Sequence, residues 1–466
     1  MMRALLLALG LMALAAPAGA QELTPDRAAF RAIYEQLVEI DSSPSTGSCT
    51  RAAEAMLVHL REAGYGEADA QVIVPDGRPD DGNLVAVLRG SSRQRAVLLL
   101  AHIDVVDARR EDWERDPFTL VEENGFFYGR GSADDKAMAA VFLDLMVRMK
   151  RENFRPRRTI RLALTCGEET SNRINGVDFL LNNHREWLQA DFAINEGAGG
   201  ILSADGQRHI ALNVQAGEKI HQVVTLEVTN PGGHSSRPVP ENAIYRLSAG
   251  IGRIAAFQFP VELNPVTRAF FERMAPITGG EMGAAMSAIA RNPNDAAAAA
   301  TLARDPSFNA MMRTTCVATQ LDAGHAANAL PQRARATLSC RVLQGHTAEE
   351  IQADLQRALN DPQISVQIER RREGSRAPEL TRAIMGPVEQ AVNRLWPGTP
   401  IVPTMTVGAT DGRFLNNAGI PTYGMSGMFS APGETNAHGL NEKIRVQSLY
   451  EGRDFLEAIV RAYARQ

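Results

Sequence analysis

The sequence lacks most of what would mark a membrane-spanning, nucleic-acid-binding or disulfide-built protein. Past its first twenty residues, no apolar run approaches the roughly 20 residues that a spanning helix needs. There is no basic run, and the formal charge of −5 is small for 466 residues, so no nucleic-acid partner is expected. The four cysteines, Cys49, Cys166, Cys316 and Cys340, are too few for a disulfide scaffold. Cys166 lies inside an apolar strand-like stretch and reads as a buried thiol. Cys316 and Cys340 fall on two segments that can pair as a hairpin, which allows one bridge. The Gly-x-Ser-x-Gly elbow of serine hydrolases and the His-Glu-x-x-His of single-zinc proteases are both absent. Internal repeats are absent too, and the one low-complexity tract is Ala296 to Ala300.

What is present begins with a leader. Arg3, the apolar stretch Ala4 to Ala16, Pro17 and Ala18-Gly19-Ala20 have the parts of a signal peptide, with cleavage expected after Ala20. The expected location is therefore secreted or periplasmic. A chain of 466 residues is too long for one ordinary core, so two domains are expected. Thr24-Pro25 starts a helix that runs to Ile40, and Cys49 to Ala63 reads as a second. Asn83 to Leu88, Ala96 to Ala101, Thr159 to Thr165 and Asp191 to Asn195 are short apolar strands, and Asp134 to Lys150 is a helix between them. Such runs imply an α/β fold with a mostly parallel sheet covered on both faces.

Near Gly217 the style changes. Gln222 to Thr229 alternates like a half-exposed antiparallel strand, a helix follows from Asn242 to Ala256, and Thr314 to Leu321 and Arg333 to Val342 read as paired strands. With the helix Ala348 to Leu359 and the strand Ile364 to Ile368 they form a smaller α+β layer. The expected division is a catalytic domain over 21–217, a lid or dimerisation domain over 218–372 carrying a helical insertion at 260–312, and a return to the catalytic domain over 373–466.

Three apolar or glycine-rich stretches each deliver a histidine or carboxylate at their ends. His102 closes an apolar strand, with Asp104 two residues on to orient its ring. Asp134 follows the glycine turn Gly129-Arg130-Gly131, whose likeness to a dinucleotide fingerprint fails at the third glycine. Glu168 and Glu169 end the strand from Thr159, and adjacent carboxylates there are costly unless a cation or proton compensates them. Glu196 ends another strand, and His438 lies in a late loop. Two histidines and three carboxylates suit a pair of divalent cations, with one glutamate to spare as a proton carrier.

In this order, His102-x-Asp104, Gly129-Arg130-Gly131-x-x-Asp134-x-Lys136, Glu168-Glu169, Glu196 and His438 resemble the M20 family of di-zinc metallopeptidases over nearly all of the mature chain. Trp113 with Asp116-Pro117-Phe118, and Gly232-Gly233-His234-Ser235-Ser236-x-Pro238, add to the likeness. The resemblance implies two Zn2+ per chain, with Mn2+ or Co2+ as substitutes. His102 and Glu196 would hold one, Glu169 and His438 the other, and Asp134 would bridge them. It implies Glu168 as general base, Asp104 as the carboxylate behind His102, and His234 as donor to the scissile carbonyl, reached from the second subunit of a homodimer in dimeric members. Asn328, Arg341, Gly408 and Arg413 resemble the family's substrate contacts. The implied reaction is hydrolysis of an amide next to a free C-terminal carboxylate by metal-activated water, in a small peptide or, alternatively, in an N-acyl amino acid. A non-catalytic binding protein is disfavoured because no ligand or base is missing. Ala137 stands where many members carry Gly, and the insertion is longer than in compact members and resembles the larger carboxypeptidase and N-acyl-amino-acid hydrolase branches.

Overall fold

The computed structural model describes residues 23–170, 172–369 and 377–466. The expected leader (1–20) and the expected boundary at 372/373 lie outside them. Among the described residues no helix is long and apolar enough to cross a membrane.

The main sheet is ten-stranded, and its centre is built from the apolar runs singled out in the sequence. Ser92–His102 lies between Arg158–Thr165 and Phe192–Asn195 and is parallel to both. Alternate residues of the Ser92–His102 strand serve opposite layers, as a strand's twofold repeat requires. Val97, Leu99 and Ala101 pack with the helices Pro25–Glu39, Cys49–Glu62, Lys136–Arg151 and Val446–Arg465. Leu98 and Leu100 pack on the other face with Val177 and Leu180 of the helix Gly176–Asn183 and Leu415 of Gly412–Asn417. A strand covered on both faces has no polar side, hence the unbroken apolar run. Because the three strands are parallel and adjacent, their C-terminal ends open on one edge, where ligands converge in sheets of this kind.

A second, four-stranded antiparallel sheet comprises Ile220–Thr229, Thr315–Ala323, Arg333–Val342 and Ser365–Ile368. Its core is separate from the first and is closed by the helices Ala243–Ala256 and Ala348–Leu359. The chain enters it directly, since His209–Glu218 of the main sheet is followed after one residue by Ile220.

The insertion has a packing of its own, and one expectation, a free thiol at Cys166, needs correction. The helices of the insertion, Pro265–Thr278, Gly280–Arg291, Ala296–Leu302 and Pro306–Met312, do not join the second core. Phe270, Phe271, Met286 and Met312 pack against Ala211 and Val402 of the main sheet. Cys166 is not a free thiol but is bridged to Cys49 at the start of the helix Cys49–Glu62. The Cys316–Cys340 bridge is also present, on residues directly opposite in the antiparallel pair. A bridge spanning 117 residues, such as Cys49–Cys166, typically contributes about 2–4 kcal/mol by restricting the unfolded chain. This one also anchors the residue two positions before Glu168.

Candidate metal centre

The three parallel strands carry the first elements of the site. Ser92–His102 ends on His102, Arg158–Thr165 leads through Cys166 and Gly167 to Glu168 and Glu169, and Phe192–Asn195 leads to Glu196. Gly167 has a φ of +85°, and a Cβ there would lie 2.4 Å from the Ile174 carbonyl oxygen, so only glycine permits this turn after the strand.

The histidine ring is fixed before anything binds it. His102 is buried, and its Nδ1 lies 3.0 Å from the Asp104 carbonyl oxygen, which leaves Nε2 facing the site. From Nε2, Asp134 Oδ1 is 3.2 Å away and Glu196 Oε2 3.8 Å away. His438 Nε2 lies 3.2 Å from the other Asp134 oxygen, Oδ2, and 2.9 Å from Glu169 Oε1. Two sets of donor atoms result, His102–Asp134–Glu196 and Asp134–Glu169–His438, each lying within 4.8 Å of one another and sharing Asp134. His438 has a φ of +63°, between Asn436 at +51° and Asn441 at +53°. Left-handed backbone at non-glycine residues costs energy and concentrates where a side chain must be aimed.

Electrostatics agree with a site built for cations. Burial pushes the Glu196 carboxyl well up despite His102, and raises Glu168, which also faces Asp411, Glu169 and Asp104. The His438 ring is pushed up to about 10 by its bonds to Asp134 and Glu169. Asp134 is held low because the two histidines outweigh its burial. Buried carboxylates crowded in this way need positive charge to compensate them. Imidazole nitrogen and carboxylate oxygen are the donors that borderline divalent metals accept, so the residues present fit such a pair.

The carboxylate of Asp104 has a task the sequence did not suggest. Its Oδ1 accepts from the Glu168 backbone N–H at 3.3 Å and its Oδ2 from that of Glu169 at 3.0 Å. Asp104 thus orients His102 through its carbonyl and the two-glutamate turn through its side chain. Glu442 was missed altogether. Its buried carboxylate accepts from Arg130 Nη1 at 2.8 Å and from the backbone N–H groups of Gly131, Ala133 and Asp134 at 3.0, 2.9 and 3.0 Å. Four donors on one carboxylate lock the turn that presents Asp134. Only its position four residues after His438 could have drawn notice. Removing Glu442 as alanine is expected to weaken metal retention by about 10- to 100-fold, the usual cost of losing support behind a ligand. Competition with a metallochromic chelator measures it, and unchanged retention would deny Glu442 this role.

The substrate residues expected from sequence stand outside the cluster. His234 is exposed, its Nδ1 lying 2.7 Å from Ser236 Oγ. Among the described residues no hydrogen bond or ion pair joins it to His102, Asp134 or His438. Asn328 meets the same segment, its carbonyl accepting from Ser235 N–H at 3.1 Å. Arg341 lies on the second sheet and Arg413 at the start of Gly412–Asn417, close enough for the one charge to bear on the other. Burial and the Arg413 charge depress the Arg341 guanidinium. Gly408 donates to Thr406 Oγ1 at 3.3 Å and opens the loop that carries Arg413.

The chain is similar to known proteins along most of its length. N-fatty-acyl-amino acid synthase/hydrolase PM20D1 of Mus musculus is 28% identical over 361 residues, covering 75% of this chain and 71% of that protein. Aminoacylase-1 of Mus musculus is 25% identical over 379 residues, covering 79% and 80%. Among solved structures, the M20 family metallo-carboxypeptidase Sso-CP2 from Sulfolobus solfataricus superimposes with a TM-score of 0.68 at 18% identity, over 95% of this chain and 100% of that one. Human carnosine dipeptidase 1 gives 0.64 at 15% identity, over 94% and 96%. At these identities the structural likeness speaks for the fold. The sequence model of Peptidase family M20/M25/M40 matches residues 98–462, a span that runs from the strand bearing His102 past the loop bearing His438, and the chain belongs to that family.

Proposed function

We propose that the protein is an exported, two-metal amidohydrolase that cleaves the amide bond on the amino side of a residue with a free carboxylate. The observation that carries this reading is the pair of donor sets sharing Asp134, with Glu168 beside them and outside both sets. His102 and Glu196 would hold one cation, Glu169 and His438 the other, and Asp134 would contribute one oxygen to each. Two zinc ions, or manganese or cobalt in their place, would polarise the scissile carbonyl and acidify a water. Glu168 takes one proton from that water as its oxygen adds to the carbonyl carbon, then delivers the proton to the departing nitrogen as the C–N bond breaks. The added oxygen keeps the water's second proton, so the products are a carboxylic acid and an amine, which separate as carboxylate and ammonium once that proton passes to the amine. Asp104 keeps Glu168 and Glu169 in register during this transfer.

Arg341 and Arg413 would receive the substrate's carboxylate, whose two oxygens match a guanidinium fork. His234 would donate to the carbonyl oxygen, and a homodimer would let it come from the second copy. The two disulfides support export, since such bonds persist in oxidising compartments.

Two substrate series satisfy this site, small peptides and N-acyl amino acids. The second is favoured by the relatives named for N-fatty-acyl-amino acid hydrolysis and aminoacylase activity. Comparing kcat/KM for dipeptides, N-acyl amino acids and the C-terminal amides of both decides between them. Either free acid is expected to exceed its amide by about 10- to 100-fold, the worth of a charge-assisted hydrogen bond of about 1.5–3 kcal/mol. Equal turnover of acid and amide would remove the carboxylate from the account.

A further inference from the structure

Where the chain first passes between the two sheets, adjacent buried side chains turn to different tasks. Lys219 donates through Nζ to the carbonyl oxygens of Ala310 at 2.8 Å and Arg313 at 2.7 Å, gripping the end of the insertion. Glu218 instead reaches the Gly408 to Arg413 loop. Its Oε2 accepts from Thr410 N–H at 2.6 Å and from Thr410 Oγ1 at 3.1 Å, while its buried Oε1 has no hydrogen-bond partner. The loop is tied elsewhere as well. Thr410 Oγ1 accepts from Asn195 Nδ2 at 3.3 Å, and Asp411 accepts from Asn175 Nδ2 at 2.5 Å and Thr165 Oγ1 at 3.3 Å. Asn195 precedes Glu196 and Thr165 lies three residues before Glu168, so this loop is referenced to both halves of the metal centre.

Arg413 follows directly. Neither Arg413 nor Arg341 forms an ion pair among the described residues; Arg413 lies over the Phe414 ring at 4.4 Å, and its charge bears on the Arg341 guanidinium. Two partly buried guanidiniums whose charges act on each other are unfavourable unless nearby negative charge offsets part of it. Glu218 and Asp411 are buried carboxylates on which the Arg413 charge acts. The oxygens of Asp411 are already bonded, whereas one of Glu218 is not. Burial pushes the Glu218 carboxyl up to about 7, with the Thr410 bonds and Arg413 pulling it back.

We propose that Glu218 is a positioning residue for the carboxylate clamp, fixing the Thr410 turn and drawing Arg413 into place opposite Arg341. Its effect is therefore on binding of the charged end of the substrate, exerted through Arg413. The inference rests on the reading of Arg341 and Arg413 as carboxylate binders.

A double-mutant cycle on metal-loaded protein tests it, using the best free-acid substrate and its C-terminal amide. Arg413→Ala is expected to raise KM for the acid by about 10- to 100-fold and for the amide, which keeps one acceptor oxygen but no charge, by less than about 5-fold. Glu218→Ala is expected to raise KM for the acid by about 10-fold with kcat within about 3-fold, again with less effect on the amide. In the Arg413→Ala background the same change should add less than about 2-fold, because residues acting through one another are not additive. Glu218→Gln retains an acceptor for Thr410 and is expected at about 3-fold. It carries the comparison if the alanine variant does not fold. Equal effects on acid and amide, or a Glu218 effect that persists in full without Arg413, would overturn the proposal. If Arg413→Ala fails to separate acid from amide, the carboxylate reading fails and the role of Glu218 falls with it.

Discussion

Replacing Glu168 with glutamine is expected to lower kcat by about 10²- to 10⁴-fold, the range a positioned proton carrier contributes. Metal content should stay near that of the native chain, because the donor sets do not include Glu168. Glutamine preserves the volume and one acceptor oxygen, and the Asp104 bonds to the turn go to backbone N–H groups that the substitution keeps. What is lost is the capacity to take a proton from water and return it to the amine. KM should move little, since the residues proposed to receive the substrate's carboxylate, Arg341 and Arg413, are untouched. Single-turnover rates with metal analysis on the same sample separate this outcome from trivial metal loss. Retained turnover would remove Glu168 from the mechanism.

The second large effect is at Asp134. Each of its oxygens lies 3.2 Å from a different histidine, so Asp134→Ala removes a donor from both sets at once. Both cations should be lost at concentrations that saturate the native protein, with activity falling by more than about 10⁴-fold as two-metal activation and the proton carrier's partner water disappear together. The stability readout has its own sign. A ligand at 100 times its Kd stabilises the folded state by about 2.7 kcal/mol, so zinc should raise the native Tm and barely move that of the variant. Without metal the variant should be no less stable than the native chain, because one of several crowded carboxylates has gone. Two cations retained by Asp134→Ala would contradict the shared-oxygen arrangement.

Much of the centre was legible because its ligands end apolar strands. A strand covered on both faces must be apolar throughout, so a polar residue at its end, as with His102 or Glu196, is conspicuous. The parallel order of Arg158–Thr165, Ser92–His102 and Phe192–Asn195 then brings those ends together, and no local signal was needed to pair them. Residues that act through the backbone of another segment were harder to see. Glu442 and Glu218 support the site through backbone N–H groups, and a backbone donor leaves no mark on the sequence. The same holds for contacts distant along the chain. Cys316 and Cys340 are matched by hairpin register, whereas nothing near Cys166 points to Cys49, 117 residues earlier. The insertion shows the limit most plainly. Its Ala- and Met-rich helices announce an apolar face, but not that the face would meet Ala211 and Val402.

The central claim is that two cations held through a shared Asp134 run the hydrolysis. Its most direct test is to strip the protein with a chelator and add zinc back in measured amounts. Metal content and hydrolysis of the best free-acid substrate are followed on the same samples. The account predicts activity that vanishes with the metal and returns fully only as content approaches two ions per chain. Full hydrolysis by protein stripped of metal, or saturation at a single ion, would contradict it.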